Sequence, residues 1–355
     1  MESQEIKPIV RVLIYNDSDV FAGTERHIAE LFENLAKQGV DVSVACPDPS
    51  PLATRASRCG VPVIALPKTG FVDVAAIRTL RRLFRSGKVD VIHAHNGRTA
   101  LAASIAVRLA GRGWCVVTQH FLAPSHTGRT GPKALLARMA HGWVDGHTHA
   151  HIAISRAVRD SMIARGESAP TDVTVISNGI TRPDSSALTR VAAIREELAV
   201  PRDAILLVCA SRLEPEKDLM TLLEAMPLLA ASPAVKLVIA GAGSMLADLQ
   251  NKLMDWHLGD CCSLLGFRED VLSIIAAADI FILPSKAEPF GLVILEAMSL
   301  GRPVVATGAG GPLEIVVDGE TGAIVVLPRA GDPPDDISLV AWKQAFARRH
   351  PVQRR

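Results

Sequence analysis

The chain has 355 residues, 48% of them hydrophobic, 21% charged and 4% aromatic, with a formal net charge of +1. That length and apolar content suit two domains with sizeable cores and exclude a disordered chain. The near-neutral balance and the single tyrosine, Tyr15, leave little for neutralising a phosphate backbone or stacking bases, so nucleic acid is not an expected partner.

Residues 1–8 are polar, and the apolar run behind them is too short for a secretory signal, so a cytoplasmic location is expected. No stretch approaches the ~20 apolar residues that span a bilayer. Residues 8–15 read as a strand and 16–23 as a loop. Ile28, Leu31, Phe32 and Leu35 then recur at helical spacing up to Gly39. Strands follow at 40–46, 61–66, 89–95 and 116–120, with a basic amphipathic helix at 75–85. Residues 178–203, rich in Gly, Pro and Ser, read as a linker with one short helix.

A second series then starts, with strands at 204–210, 235–240, 261–265, 279–283, 303–306 and 322–327, and clear helices at 219–231 and 245–256. Beyond residue 328 the pattern weakens, leaving one helix at 337–348. Strand–helix alternation from end to end argues α/β with parallel sheets. The expected organisation is a domain at 1–180, a second at 181–330 and a short divergent or truncated tail at 331–355. Two such domains are expected to face each other across a cleft, with ligand at the carboxyl ends of the strands. The six cysteines include no C-x-x-C and read as reduced thiols, most of them buried in strands.

The most informative segment is Glu288-Pro-Phe-Gly-Leu-Val-Ile-Leu-Glu296, where a buried strand hands over to a helix. Free N–H groups at a helix start attract anions, so Phe290, Gly291 and Leu292 form a candidate phosphate cradle with Glu288 at its mouth and Glu296 further in. A carboxylate beside a phosphate site suits the hydroxyls of a sugar or ribose. Arg212 and Lys217 follow the first strand of the second series, and a planar fork with a point charge suits a diphosphate.

These residues, with Gly301-Arg-Pro-Val-Val-Ala306 and Gly310-Gly311 behind them, resemble the family 4 retaining glycosyltransferases of the GT-B fold, two Rossmann-like doubly wound domains. The resemblance spans nearly the whole chain, including the loop 16–23, Asp90-Val-Ile-His-Ala-His95, Thr118-Gln-His120 and Asn178-Gly-Ile180. It implies a hexosyltransferase that moves sugar from a UDP- or GDP-linked donor to a saccharide or lipid-linked acceptor, with retention and without a metal or cofactor. By the same resemblance Arg212 and Lys217 hold the diphosphate and Glu296 the ribose. Glu288 meets the transferred sugar, and the N–H groups of Phe290, Gly291 and Leu292 the sugar or phosphate. Gly266 and Phe267 lie by the base, His120 by the donor sugar, and Gly23 by the diphosphate and acceptor. A same-fold rival is a nucleotide-sugar 2-epimerase; a rival of another class is a nucleotide-sugar binder without turnover.

Other motifs weigh less. His147, His149 and His151 alternate and would share one strand face as a metal site, yet no carboxylate or cysteine cluster accompanies them. His93 and His95 alternate likewise, with His95 an acceptor-side candidate. Gly241-Ala-Gly243 follows a strand, but Leu246 occupies the third glycine position, so the dinucleotide fingerprint fails. The basic helix at 78–85, with Lys133 to Arg138, suits either peripheral membrane contact or an ordinary solvated face.

Overall fold

The computed structural model describes residues 10–66, 70, 72–122, 132–229 and 235–326. The expected tail at 331–355 and its helix lie outside that set. The chain divides into two compact units, Met1–Asn178 and Gly179–Arg355.

Among the described residues the first unit carries seven strands: β1 Arg11–Tyr15, β2 Asp41–Cys46, β3 Val63–Ala65, β4 Val91–Ala94, β5 Trp114–Gln119, β6 Ala150–Ala153 and β7 Val173–Val175. All pairings are parallel, in the order β3-β2-β1-β4-β5-β6-β7. The pleat sends alternate side chains to opposite faces. Leu13 and Tyr15 therefore join one buried cluster with Leu80, Phe84 and Ile92, while Ile14 joins another with Ile28, Phe32 and Val44.

The described residues of the second unit carry six: β8 Ile205–Ala210, β9 Val235–Ala240, β10 Cys262–Gly266, β11 Ile280–Leu283, β12 Val304–Thr307 and β13 Gly322–Val325. These too are all parallel, in the order β10-β9-β8-β11-β12-β13. The continuous apolar run of β8 has a direct cause. Leu206, Val208 and Ala210 pack on one face and Leu207 and Cys209 on the other, as expected for a parallel strand covered by helices on both sides.

In each sheet the strand order reverses once, between β1 and β4 in the first and between β8 and β11 in the second. Connections at such a point diverge and leave a crevice at the carboxyl ends of the two strands. Both crevices are where polar side chains collect.

Three sequence expectations change. The stretch expected to be a linker holds two short helices, Ser186–Thr189 and Val191–Glu197, and buries Ala187, Ile194 and Leu198 in the core of the second unit. A helix at Pro51–Arg58 was not anticipated; Ser50 caps it by accepting from the Ala53 N–H at 3.1 Å, and Pro51 supplies a ready-made φ. The three alternating histidines do not share a strand. His147 ends the helix Pro132–His147, and only His151 lies within β6. No helix among the described residues is long and apolar enough to cross a membrane.

Candidate functional site

In the second unit the loop after β8 brings Lys217 to the switch point, at the end of a single 3-10 turn, Pro215–Lys217. The loop after β11 brings Glu288. Lys217 Nζ donates to Glu288 Oε2 at 2.6 Å, and the two side chains are 13% and 11% exposed. Ser285, fully buried, donates its hydroxyl to the same oxygen at 3.2 Å. The two loops are also joined by Lys286 N–H donating to Glu216 O at 2.9 Å and by a Lys286–Asp218 ion pair at 2.8 Å.

Arg212 stands apart from that pair: it is half exposed and bonded to Glu216 at 2.7 Å. Its loop is pinned by Gly241 and Gly243. A Cβ on either glycine would overlap the backbone of Ser211 or Leu213. The two glycines that suggested a dinucleotide loop thus serve to let one β-strand exit pass beside another.

Gly291 precedes the helix Leu292–Ser299 in the left-handed region, φ +100°, a conformation that favours glycine. Gly291 has no side chain to cap this helix start; Ile294 N–H donates back to Gly291 O at 2.9 Å, and the turn lies at the carboxyl edge of the sheet. Phe290 and Glu296 are buried. The loop after β12 braces the whole segment. Glu288 N–H donates to Ala309 O and Gly311 N–H to Glu288 O, at 2.9 and 2.8 Å, and Thr307 donates to Ser285 O. A Cβ at Gly311 would overlap the Phe290 backbone.

Of the residues expected at the site, Lys217 and Glu288 are in contact, Phe290, Gly291 and Leu292 follow at the adjoining helix start, Glu296 is buried one turn into that helix, and Arg212 is half exposed nearby. Gly266 and Phe267 follow β10, two strands from β8 on the same edge, and Phe267 is 73% exposed. Ser285 and Thr307 were missed, because a lone hydroxyl after an apolar strand carries no periodic signal.

In the first unit the crevice between β1 and β4 is lined by histidine and amide groups. His95 Nδ1 and His120 Nε2 are 3.0 Å apart, and His93 Nε2 lies 2.7 Å from Thr118 Oγ1. The rings of His27 and His120 meet edge to face with centroids at 5.2 Å. Burial lowers the pKa of all four: His27 and His93 to about 4, His95 and His120 well below the ordinary value. Each is therefore neutral at pH 7. Asn16 donates to Glu25 Oε1 at 3.1 Å, Glu25 Oε2 accepts the Ala22 N–H at 2.9 Å, and Asn96 donates to Asp17 at 2.8 Å. Gly23, the first residue of the helix Gly23–Lys37, has open space where a Cβ would stand. His27 sits one turn after Gly23 and escaped the sequence reading, which had no marker for its long-range partners.

Two doubly wound parallel units, each with its polar groups at the switch point, define a GT-B-type α/β protein. Anabaena Alr3699/HepE, solved in complex with UDP and glucose, matches with a TM-score of 0.79 and 23% identity over 96% of this chain and 90% of its own. The Glycosyltransferase Family 4 model matches residues 21–182, and the Glycosyl transferases group 1 model residues 191–339. An alpha-maltose-1-phosphate synthase of Mycobacterium tuberculosis is 30% identical over 334 residues, covering 86% of this chain and 81% of its own. The UDP-Gal:alpha-D-GlcNAc-diphosphoundecaprenol alpha-1,3-galactosyltransferase of Escherichia coli is 27% identical over 301 residues, 82% of this chain and 78% of its own. The chain belongs to the group 1, family 4 glycosyltransferases, and the epimerase reading draws no support from these relatives.

Proposed function

We propose that the protein is a retaining, metal-independent hexosyltransferase that takes sugar from a UDP- or GDP-linked donor, with the donor held by the second unit. The observation that carries the reading is the buried Lys217–Glu288 pair beside the uncapped helix start at Gly291. When a nucleoside diphosphate leaves, negative charge grows on its distal phosphate. An ammonium and a row of backbone N–H groups already fixed in place meet that charge without reorganising, which is where preorganised electrostatics act most strongly.

Glu288 is assigned to the hydroxyls of the transferred sugar. Its Oε2 already accepts from Lys217 and Ser285, which makes that oxygen a poor nucleophile and argues against a covalent glycosyl intermediate. Retention then follows from a front-face course. The bond from C1 to the leaving oxygen breaks, the acceptor oxygen bonds to C1 from the same side, and the acceptor proton passes to the leaving phosphate. Glu296 is assigned to the ribose, Arg212 to the diphosphate, and Phe267 to the vicinity of the base. In the first unit His120 is assigned to the donor sugar and Gly23 to the diphosphate and acceptor.

The Anabaena relative's complexes with UDP and with UDP-glucose favour a uridine donor. The E. coli relative's lipid-diphosphate acceptor favours a lipid-linked acceptor and work at the cytoplasmic membrane face. A thermal-shift screen of UDP-, GDP- and ADP-sugars tests donor binding, since a ligand at 100 times its Kd adds about 2.7 kcal/mol to stability. A rise with UDP-sugars and none with ADP-sugars is expected; no rise with any of them would overturn the reading.

A further inference from the structure

We infer that His27, His95 and His120 form a binding site for one borderline divalent cation of the Zn2+ class in the first unit. One ring nitrogen from each residue lies within 4.8 Å of the other two. Tetrahedral coordination at ~2.0–2.1 Å places ligand nitrogens ~3.3 Å apart. The His95–His120 nitrogens, at 3.0 Å, already stand near that separation, and His27 has to close by no more than about 1.5 Å to match it.

The rings come from three elements that converge at one switch point. His27 is on the helix after β1, His95 follows β4 and His120 follows β5. A fold that brings three separate chain segments together holds the three rings near one another before any ion arrives. His95 is fully buried, with its Nδ1 turned toward His120 Nε2. His120 is 5% exposed, and His27, the most open of the three, marks the side from which an ion enters.

The donor set selects the cation. Three imidazoles without a carboxylate or thiolate suit Zn2+, Ni2+ or Cu2+ and disfavour Mg2+ and Ca2+, which want oxygen. Three protein ligands leave a fourth position for water. The proposed transfer chemistry does not use this ion; an ion held here would instead take His120 away from the donor sugar.

The test uses tag-free full-length protein stripped with a chelator and titrated with Co2+ and Zn2+. Expected are one ion per chain and, with Co2+, the visible ligand-field band of a low-coordinate imidazole site. His27→Ala should weaken binding beyond the ~10–100-fold that even outer-shell losses cost. The paired change His147→Ala and His149→Ala, outside the cluster, should leave stoichiometry and band unchanged. Absence of the band in the wild-type protein would overturn the site. So would unaltered binding by His27→Ala, or loss of binding in the His147 and His149 variant.

Discussion

Replacing Glu288 by alanine leaves the Lys217 ammonium in a pocket where its side chain is only 13% exposed, and it strands the Ser285 hydroxyl as well. Breaking a buried pair from one side typically costs ~3–5 kcal/mol, because the remaining charge stays desolvated. Glu288→Ala and Lys217→Met should each fall near that range. The double variant removes both charges and should be milder than their sum by about 1–3 kcal/mol, the coupling found between residues in direct contact. Urea unfolding followed by far-UV circular dichroism measures all three, with the transition of the second unit resolved and its m-value checked for constancy. Raising the salt concentration should change the coupling little, since buried pairs are weakly screened. Additivity within ~0.5 kcal/mol, or a coupling that vanishes in high salt, would show that the two groups behave as a surface pair and would refute the reasoning.

Gly311→Ala pushes a methyl group into the Phe290 backbone, so it should destabilise by ~1–3 kcal/mol and weaken donor binding together, read by urea unfolding and calorimetric titration. Gly23→Ala meets nothing within 4 Å, so the same unfolding assay should find its stability unchanged. Burial, with help from the Glu167 charge, raises the Asp145 carboxyl to about 7. Its folded pKa lies above the unfolded value, so the protonated form adds stability below about pH 4 that is lost as pH rises through 7. Asp145→Asn should therefore raise the melting temperature at pH 8 by an amount worth at most about 4 kcal/mol and change little at pH 4.

The sheets were legible because strands buried on both faces have no room for polar residues, and β8 and β11 show it in consecutive apolar letters. The Glu288 segment was legible because a proline and a glycine mark the exit from one element and the start of the next. The pairing of Lys217 with Glu288 was not, since 71 residues separate them and only the order β8-β11 brings their loops together. Arg212 and Lys217 read together as a fork and a point charge for one diphosphate, whereas the fold sinks Lys217 against a carboxylate and leaves Arg212 half exposed. The alternating histidines misled for a local reason. His-Thr-His-Ala-His contains no large apolar residue to set a period, so the helix end at His147 could not be told from a strand start. His27 was invisible for the opposite reason: its partners are 68 and 93 positions away in the chain, joined to it by the packing of three separate elements.

In the proposed reaction Lys217 meets the departing nucleoside diphosphate. Release of UDP or GDP from the matching sugar nucleotide, followed without acceptor so that only the donor half is tested, measures it most directly. The wild-type protein should hydrolyse one donor class slowly, and Lys217→Ala should lose ~10²–10³ in kcat, about 3–4 kcal/mol of transition-state stabilisation. Nucleotide release by Lys217→Ala at the wild-type rate would contradict the account.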